Sequence, residues 1–278
     1  MRGLVVAALV ACSHSYNSAR VTPTSVDRLP IGPPLVTPGE RMTYRLALRG
    51  IELAVYELGV APELAEVDGK RAVVVQSHAR AVGFVKIVAN VDDYFTSWVD
   101  VDTGRPLRWA TDEYATNSTD KEKTEARIAE REGNVVPIDF HLNDQPAKPE
   151  PQKVTMVDVW DYNAFLVALR GWEAPPGATL IAEVLRSRYL WHVQVTVRGK
   201  EQVTTEYASL TALRFDGHAY KMDRDGAKAV GDDERDFSIW ISDDDGRVPL
   251  QVVAKTDYGD MKMQLVDYQP GSGPRLKK

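Results

Sequence analysis

Few residues in this 278-residue chain combine a reactive type with a useful spacing, and the first of them is Cys12, its one cysteine. It follows Met1-Arg2-Gly3 and the apolar run Leu4 to Ala11. A basic start and a short apolar core read as a secretory signal, far too short to span a bilayer. The end of that run, Leu9-Val10-Ala11-Cys12, has the pattern of a bacterial lipobox. An apolar residue and then small residues let the chain enter the peptidase groove. The thiol carries diacylglycerol as a thioether, and the cysteine becomes the new N-terminus. Each buried acyl methylene contributes about 0.8 kcal/mol, so several acyl chains anchor a protein stably. The expectation is a signal peptide over residues 1–11 and lipid attachment at Cys12. A lone cysteine cannot build a disulfide framework, and it leaves no zinc ribbon, iron–sulfur cluster or CxxC redox pair.

Other chemistries find little to stand on. A hydrolase needs a nucleophile with a base and an orienting group, and the chain has no Gly-x-Ser-x-Gly. His14, His78, His141, His192 and His218 are isolated, without HxH or HExxH spacing, and read as solvent-facing or hydrogen-bonded. Asp243-Asp244-Asp245-Gly246 lacks the ligand spacing of an EF-hand, because Ile241 stands at an acidic position and the loop ends without glutamate. It reads as a hairpin turn. The acidic runs Asp223-Arg224-Asp225-Gly226 and Asp232-Asp233-Glu234 belong with it. Asn117-Ser118-Thr119 matches a glycosylation sequon, which carries little weight in a bacterial lipoprotein. No catalytic residue, metal site or cofactor is expected. A net charge of -6 without a basic cluster argues against nucleic acid, which demands a basic surface.

The elements that would position a site are mostly strands. In Arg41 to Arg49, Met42, Tyr44, Leu46 and Leu48 alternate with polar residues, the mark of a strand with one dry face. Ile51 to Val60 returns with a parity change near Val55-Tyr56, as a β-bulge produces. Further strands are expected at 71–79, 94–102 and 107–116, and across the charged segment 121–132 into 135–142. Residues 83–91 fit a short helix or a strand equally. Asn143 to Lys153, with three prolines, reads as a linker between two halves. A buried helix over about 158–171 follows, with Asp158 as N-cap and Gly171 as stop. Then come strands at 189–197, 203–215, 237–242, 249–256 and 259–268, with Asp257-Tyr258-Gly259-Asp260 as a turn. The fold class is mainly β: a large curved antiparallel sheet, an incomplete barrel or a sandwich, around one buried helix. Residues 12–38 read as a lipidated flexible tether, 39–268 as a single domain and 269–278 as a tail.

Four short motifs carry a resemblance. They are Pro38-Gly39-Glu40-Arg41-Met42-Thr43-Tyr44, then Asp102-Thr103-Gly104-Arg105-Pro106-Leu107, then Ala168-Leu169-Arg170 ending the helix, and last Ile239-Trp240-Ile241-Ser242-Asp243-Asp244 with Arg247-Val248-Pro249-Leu250. In order and spacing they resemble the exported bacterial family called domain of unknown function 3108, over roughly 37–268. The resemblance implies a single-domain envelope protein built on an antiparallel sheet, with no activity or catalytic residues to carry over.

Three functions fit this reading. The first is an envelope lipoprotein that carries an apolar or amphiphilic ligand in a cavity lined by residues such as Tyr44, Leu46 and Trp191. The second is an assembly lipoprotein that contacts another envelope protein, with a filled core and an apolar patch near Trp240. Trp240 has the parity of Ser238 and Ser242, so it lines a groove or lies under a second layer. The third is an enzyme acting on polysaccharide, which requires a polar cleft with perturbed carboxylates. The expected partners are a membrane through the lipid, a lipid-like ligand or an envelope protein. Ser13 after Cys12 favours the outer membrane facing the periplasm.

Overall fold

The computed structural model describes residues 26–83, 85–88, 90–115, 118–231, 234–256 and 259–277. The signal segment, Cys12, His14, Asn117, the Asp232-Asp233 pair and the Asp257-Tyr258 half of its turn lie outside them.

The chain opens with the two-residue strand β1 (Val26–Asp27). Strands β2 (Arg41–Leu48), β3 (Ile51–Val67) and β4 (Lys70–Ala81) form consecutive hairpins. Both turns are two residues long, Arg49-Gly50 and Asp68-Gly69, and all four residues have positive φ. That geometry matches the right-handed twist of the flanking strands. A single turn, α1 (Val85–Val88), leads to β5 (Asp92–Asp100), β6 (Pro106–Tyr114) and β7 (Lys121–Ala126). Short pieces follow: β8 (Val135–Val136), β9 (Ile138–Leu142), β10 (Lys148–Pro149), β11 (Gln152–Lys153) and β12 (Val159–Asp161). Helix α2 (Tyr162–Arg170) precedes five long strands, β13 (Thr179–Arg186), β14 (Tyr189–Thr204), β15 (Ser209–Lys221), β16 (Glu234–Ser242) and β17 (Pro249–Thr256), β18 (Gly259–Gln269) closing the sequence of strands.

One sheet of sixteen strands contains nearly all of them, ordered from β13 through β18 to β2 and on through β7, β9 and β10. Its neighbours are antiparallel except β1 and β12, which run parallel to β13 along its outer edge. The sheet curls without closing, so β13 and β9 do not pair. Mainly β architecture around a buried helix is therefore the observed class.

Burial explains where the sequence pattern was readable. In β2, Met42, Tyr44 and Leu48 are buried and Leu46 is partly so. The parity change in β3 falls at Leu53-Ala54, slightly earlier than expected, opposite a register shift between Leu46 and Ala47. The charged β7 turns Thr124 and Ala126 inward and its Lys and Glu side chains outward. Strand β13 has no sequence signature because both of its faces are covered. Leu180, Ala182 and Val184 join the main core, while Leu185 joins a second cluster. A strand dry on both sides loses the period-two signal.

Several boundaries move. Residues 143–153 are not a linker: β10 pairs with β9, and β11 pairs with β8. The helix begins later than Asp158, because Val159, Trp160 and Asp161 form β12. Asp158 instead pairs with Arg105 at 2.5 Å. The part of the expected tether from residue 26 onward is packed. Leu29 and Val36 are buried in the main core, and Gly32 N donates to Thr103 O at 3.1 Å. The tail is packed too, with Leu276 N donating to Val36 O at 3.1 Å and Gly273 N to Pro38 O at 3.2 Å. Residues 28–36 thus form a strap from the β13 edge past the β5–β6 turn and the C-terminal end of α2 toward the start of β2.

Candidate functional site

The concave side of the sheet is the natural place for a ligand, and α2 occupies it. Asp161 caps the helix, its Oδ1 accepting from Ala164 N at 2.8 Å. The same oxygen accepts from Ser97 Oγ on β5 at 2.5 Å. Asn163 reaches the sheet in three directions: it accepts from Ser77 Oγ at 2.9 Å and donates to the carbonyls of Val75 and Phe95 at 3.3 and 3.0 Å. All four side chains are fully buried. Burial pushes the Asp161 carboxyl up to about 7, desolvation outweighing the hydrogen bonds it accepts from Ala164, Ser97 and Asn163. Its Oδ2 has no hydrogen-bond partner among the described residues.

The other end of α2 is fixed by charge. Arg170 forms a two-pronged ion pair with Glu40, at 2.9 and 2.7 Å, with both side chains almost wholly buried. Arg170 also donates to the carbonyls of Arg247 and Gly246, at 3.0 and 2.8 Å. Arg247 returns the bond, donating to Arg170 O at 2.9 Å and Trp172 O at 3.1 Å. Tyr268 donates to Glu40 at 3.0 Å, and its phenol is pushed up to about 12 by burial and by that carboxylate. Three of the four family-like motifs meet here: Glu40 from the first, Arg170 from the third, Arg247 and Pro249 from the fourth. A buried guanidinium needs this many acceptors, since an uncompensated charge in the core is very costly.

The residues expected to line a ligand cavity are engaged in packing or lie apart. Tyr44 is fully buried, and its hydroxyl donates to Pro249 O at 3.0 Å. Leu46 packs partly buried against the main core two residues on. Trp191 lies on β14, five strand positions away along the sheet, partly buried with the Arg235 guanidinium 5.9 Å from its ring. Trp240 is 8% exposed. It lies under a second layer, the end of the β14–β15 hairpin, which kinks at a register shift between Val197 and Gly199. From there Glu201 accepts from Trp240 Nε1, Thr204 O accepts from Gln264 at 3.4 Å, Glu206 pairs with Arg45, and Tyr207 meets Tyr268 edge-on. The Arg214 guanidinium covers the Trp240 ring at 5.1 Å.

Open space remains beside the helix instead. A cleft of about 180 Å³ runs between the strap and α2, lined by Ile31, Pro33, Leu35, Val167, Ala168 and Lys277 among others. A smaller one, about 60 Å³, lies under Leu29, Val157 and Trp160. Sequence reasoning placed no residue at either cleft, because residues 12–38 read as a tether. The Pro-Pro-Leu-Val run after Gly32 was the one local signal of a packed segment.

A second polar locus sits at the seam where the sheet ends approach. The β13–β14 turn places Ser187, at positive φ, against the first half of the chain. Trp109 Nε1 donates to Ser187 O at 3.1 Å, and Ser187 Oγ donates to Glu113 at 2.9 Å. Burial raises the Glu113 carboxyl and pushes Asp93 nearby up to about 6. Glu150 accepts from Arg224 at 2.6 Å and from Arg188 at 3.3 Å, stapling residues 148–153 to the other half. The described histidines sit in polar or stacked surroundings: His78 with Asp92 at 2.6 Å, His218 with Asp236 at 2.9 Å, His141 with Gln145 O at 3.4 Å, and His192 stacked on Tyr220. Among the described residues, no three His, Cys, Asp or Glu side chains are grouped to hold a metal ion.

Comparison with known proteins fits this architecture. A solved structure from Brucella abortus, a β-barrel-like protein of the domain of unknown function DUF1849, superposes with a TM-score of 0.53 at 11% identity. The alignment covers 85% of this chain and 99% of that one, which shows a shared fold. Two further structures align less closely: an exported protein with a YmcC-like fold from Bacteroides fragilis (TM-score 0.39, 6% identity, 86% and 99% covered), and a lipoprotein from Parabacteroides distasonis (0.38, 6%, 87% and 100%). No curated protein matches the chain by sequence. The family model described as "Protein of unknown function (DUF3108)" matches residues 41–266, from the first residue of β2 into β18, and the chain belongs to that family.

Proposed function

We propose that the chain is a lipid-anchored, non-catalytic protein of the bacterial cell envelope, and that its body is an assembly surface for another envelope protein. One observation carries this reading: the concave face that a carrier would keep open is filled by α2, which is tied in at both ends by buried polar groups. Bound ligands of ordinary size need a cavity of roughly 300 Å³ or more, and the cleft beside α2 is about 180 Å³. The long hairpins supply surface instead. The β3–β4 hairpin exposes residues 62–64, including Leu64, and the β14–β15 hairpin exposes Tyr207. Photo-cross-linkers placed at Leu64 and Tyr207 in living bacteria test it. One discrete protein adduct from either position is expected, and lipid adducts alone would contradict it.

A second reading, carriage of an apolar or amphiphilic ligand, is favoured by the cleft itself. Its walls are largely apolar and its rim carries the Lys277 ammonium. An acyl chain entering there, its acidic end near Lys277, would have to displace the strap.

A further inference from the structure

The face on which the strap lies carries two large apolar side chains in the open. Ile31 is 70% exposed, and Val157, at the tip of the loop before β12, is 74% exposed. They belong to one region of surface. Val157 shares the smaller cleft with Arg28 and Leu29, and Ile31 borders the larger cleft two residues further along the strap. Cations stand beside both. Arg131 donates to the carbonyls of Met156 and Val157 at 3.2 and 3.0 Å, and Lys277 lies in the same cleft as Ile31. Apolar tips with a cation beside each suit the boundary between acyl chains and anionic headgroups, and the one carboxylate in the smaller cleft, Asp158, is paired with Arg105.

We infer that this strap face, led by Ile31 and Val157, rests on the bilayer that holds the Cys12 lipid. The inference deepens the lipid-anchor reading and depends on it. Chain length supplies the argument that the apolar tips alone do not. Residues 13–25 separate Cys12 from Val26, which is already fixed to the β13 edge. Even fully extended, that stretch reaches at most about 50 Å. A body of this size is roughly 45 Å across, so a path around half of it is roughly 70 Å. The anchor therefore cannot hold the molecule with the strap face turned away from the membrane. Strands β2 and β3 lie six and seven positions from β13 in the sheet order, and the hairpin that joins them is at the opposite end of β2 from Arg41, where the strap runs in. Ile51, in their hairpin and 54% exposed, faces solvent there.

The test uses the lipidated full-length chain in vesicles of phosphatidylethanolamine with a minor share of phosphatidylglycerol. Because Cys12 is consumed by its thioether, Val157→Cys and Ile31→Cys each add the only free thiol, and Ile51→Cys serves as the control. All three positions are exposed, so the fold tolerates a label. An environment-sensitive dye at 157 and at 31 is expected to shift to the blue on vesicle binding. Brominated acyl chains should quench it at least twofold more than the dye at 51. Protein that floats with the vesicles but shows equal, weak quenching at all three positions overturns the inference alone. Protein that does not float overturns the anchor, and the inference falls with it.

Discussion

At the scale of single residues, the account rests on buried polar groups that fix α2. Asp161 is the sharpest case. Its carboxyl titrates near 7 in the folded chain, against about 4 when exposed, so the folded state binds the proton more tightly. The stabilisation is complete below about pH 4 and is lost as pH rises toward 7, a change of roughly 4 kcal/mol at most. Urea denaturation at pH 4.5 and pH 8 should show this fall together with that of the other raised carboxyls, Asp93 and Glu113, and Asp161→Asn should remove the Asp161 share and make the dependence clearly shallower. Asparagine keeps the cap on Ala164 and carries no charge. Identical pH dependence in the two proteins would contradict the assignment. The Glu40–Arg170 pair behaves differently. Glu40→Gln leaves a buried guanidinium without its counter-charge and should cost about 3–5 kcal/mol. The double change Glu40→Gln with Arg170→Met should recover part of that loss, as measured by the denaturation midpoint. If the double variant is less stable than the single, the pair is not coupled in this way.

At the scale of elements, the strap is the unexpected part of the fold. Gly104 in the β5–β6 turn has φ +70°, and a Cβ there would approach Gly32 O to 2.7 Å. Gly104→Ala should therefore cost more than Gly50→Ala, where φ is also positive but nothing lies within 4 Å. The backbone contribution is about 1 kcal/mol in both, and the displaced strap should add about 1–2 more. Trypsin should then cut after Arg28 or Arg41 sooner in Gly104→Ala; equal cutting in both variants would show that the strap does not depend on this contact. The strap also shows where the sequence stops being informative. Strands such as β2 and β7 were legible because one face meets water and the period of two survives. β13 was invisible because the main core covers one of its faces and the second cluster, through Leu185, covers the other. Residues 28–36 read as a tether because prolines and glycines mark loops, whether a loop hangs free or packs. The helix was found from its apolar run. Its polar anchors Asp161 and Asn163 were not, since their partners Ser97 and Ser77 are distant in sequence and nothing local pairs them. Glu40 and Arg170 stood inside the motifs that carried the family resemblance, but only the fold brings them together.

At the scale of the whole molecule, an open sheet is closed by side chains and connecting segments. The seam joins Trp109, Ser187, Glu113, Glu150, Arg188 and Arg224, while α2 fills the concave side and the strap packs against its C-terminal end. That closure argues for a solid body whose outer surface is available for contact. The expected ligand residues Tyr44 and Trp240 are consumed by packing, so the carrier reading moves from the sheet interior to the smaller cleft under the strap. The most direct test is native mass spectrometry of residues 26–278, purified from a bacterial envelope without harsh detergent. Those residues include the strap, which belongs to the fold. The account predicts the mass of the protein alone, unchanged by organic extraction. A second species heavier by the mass of a lipid, and lost on extraction, would contradict the filled-core account and make carriage the leading function.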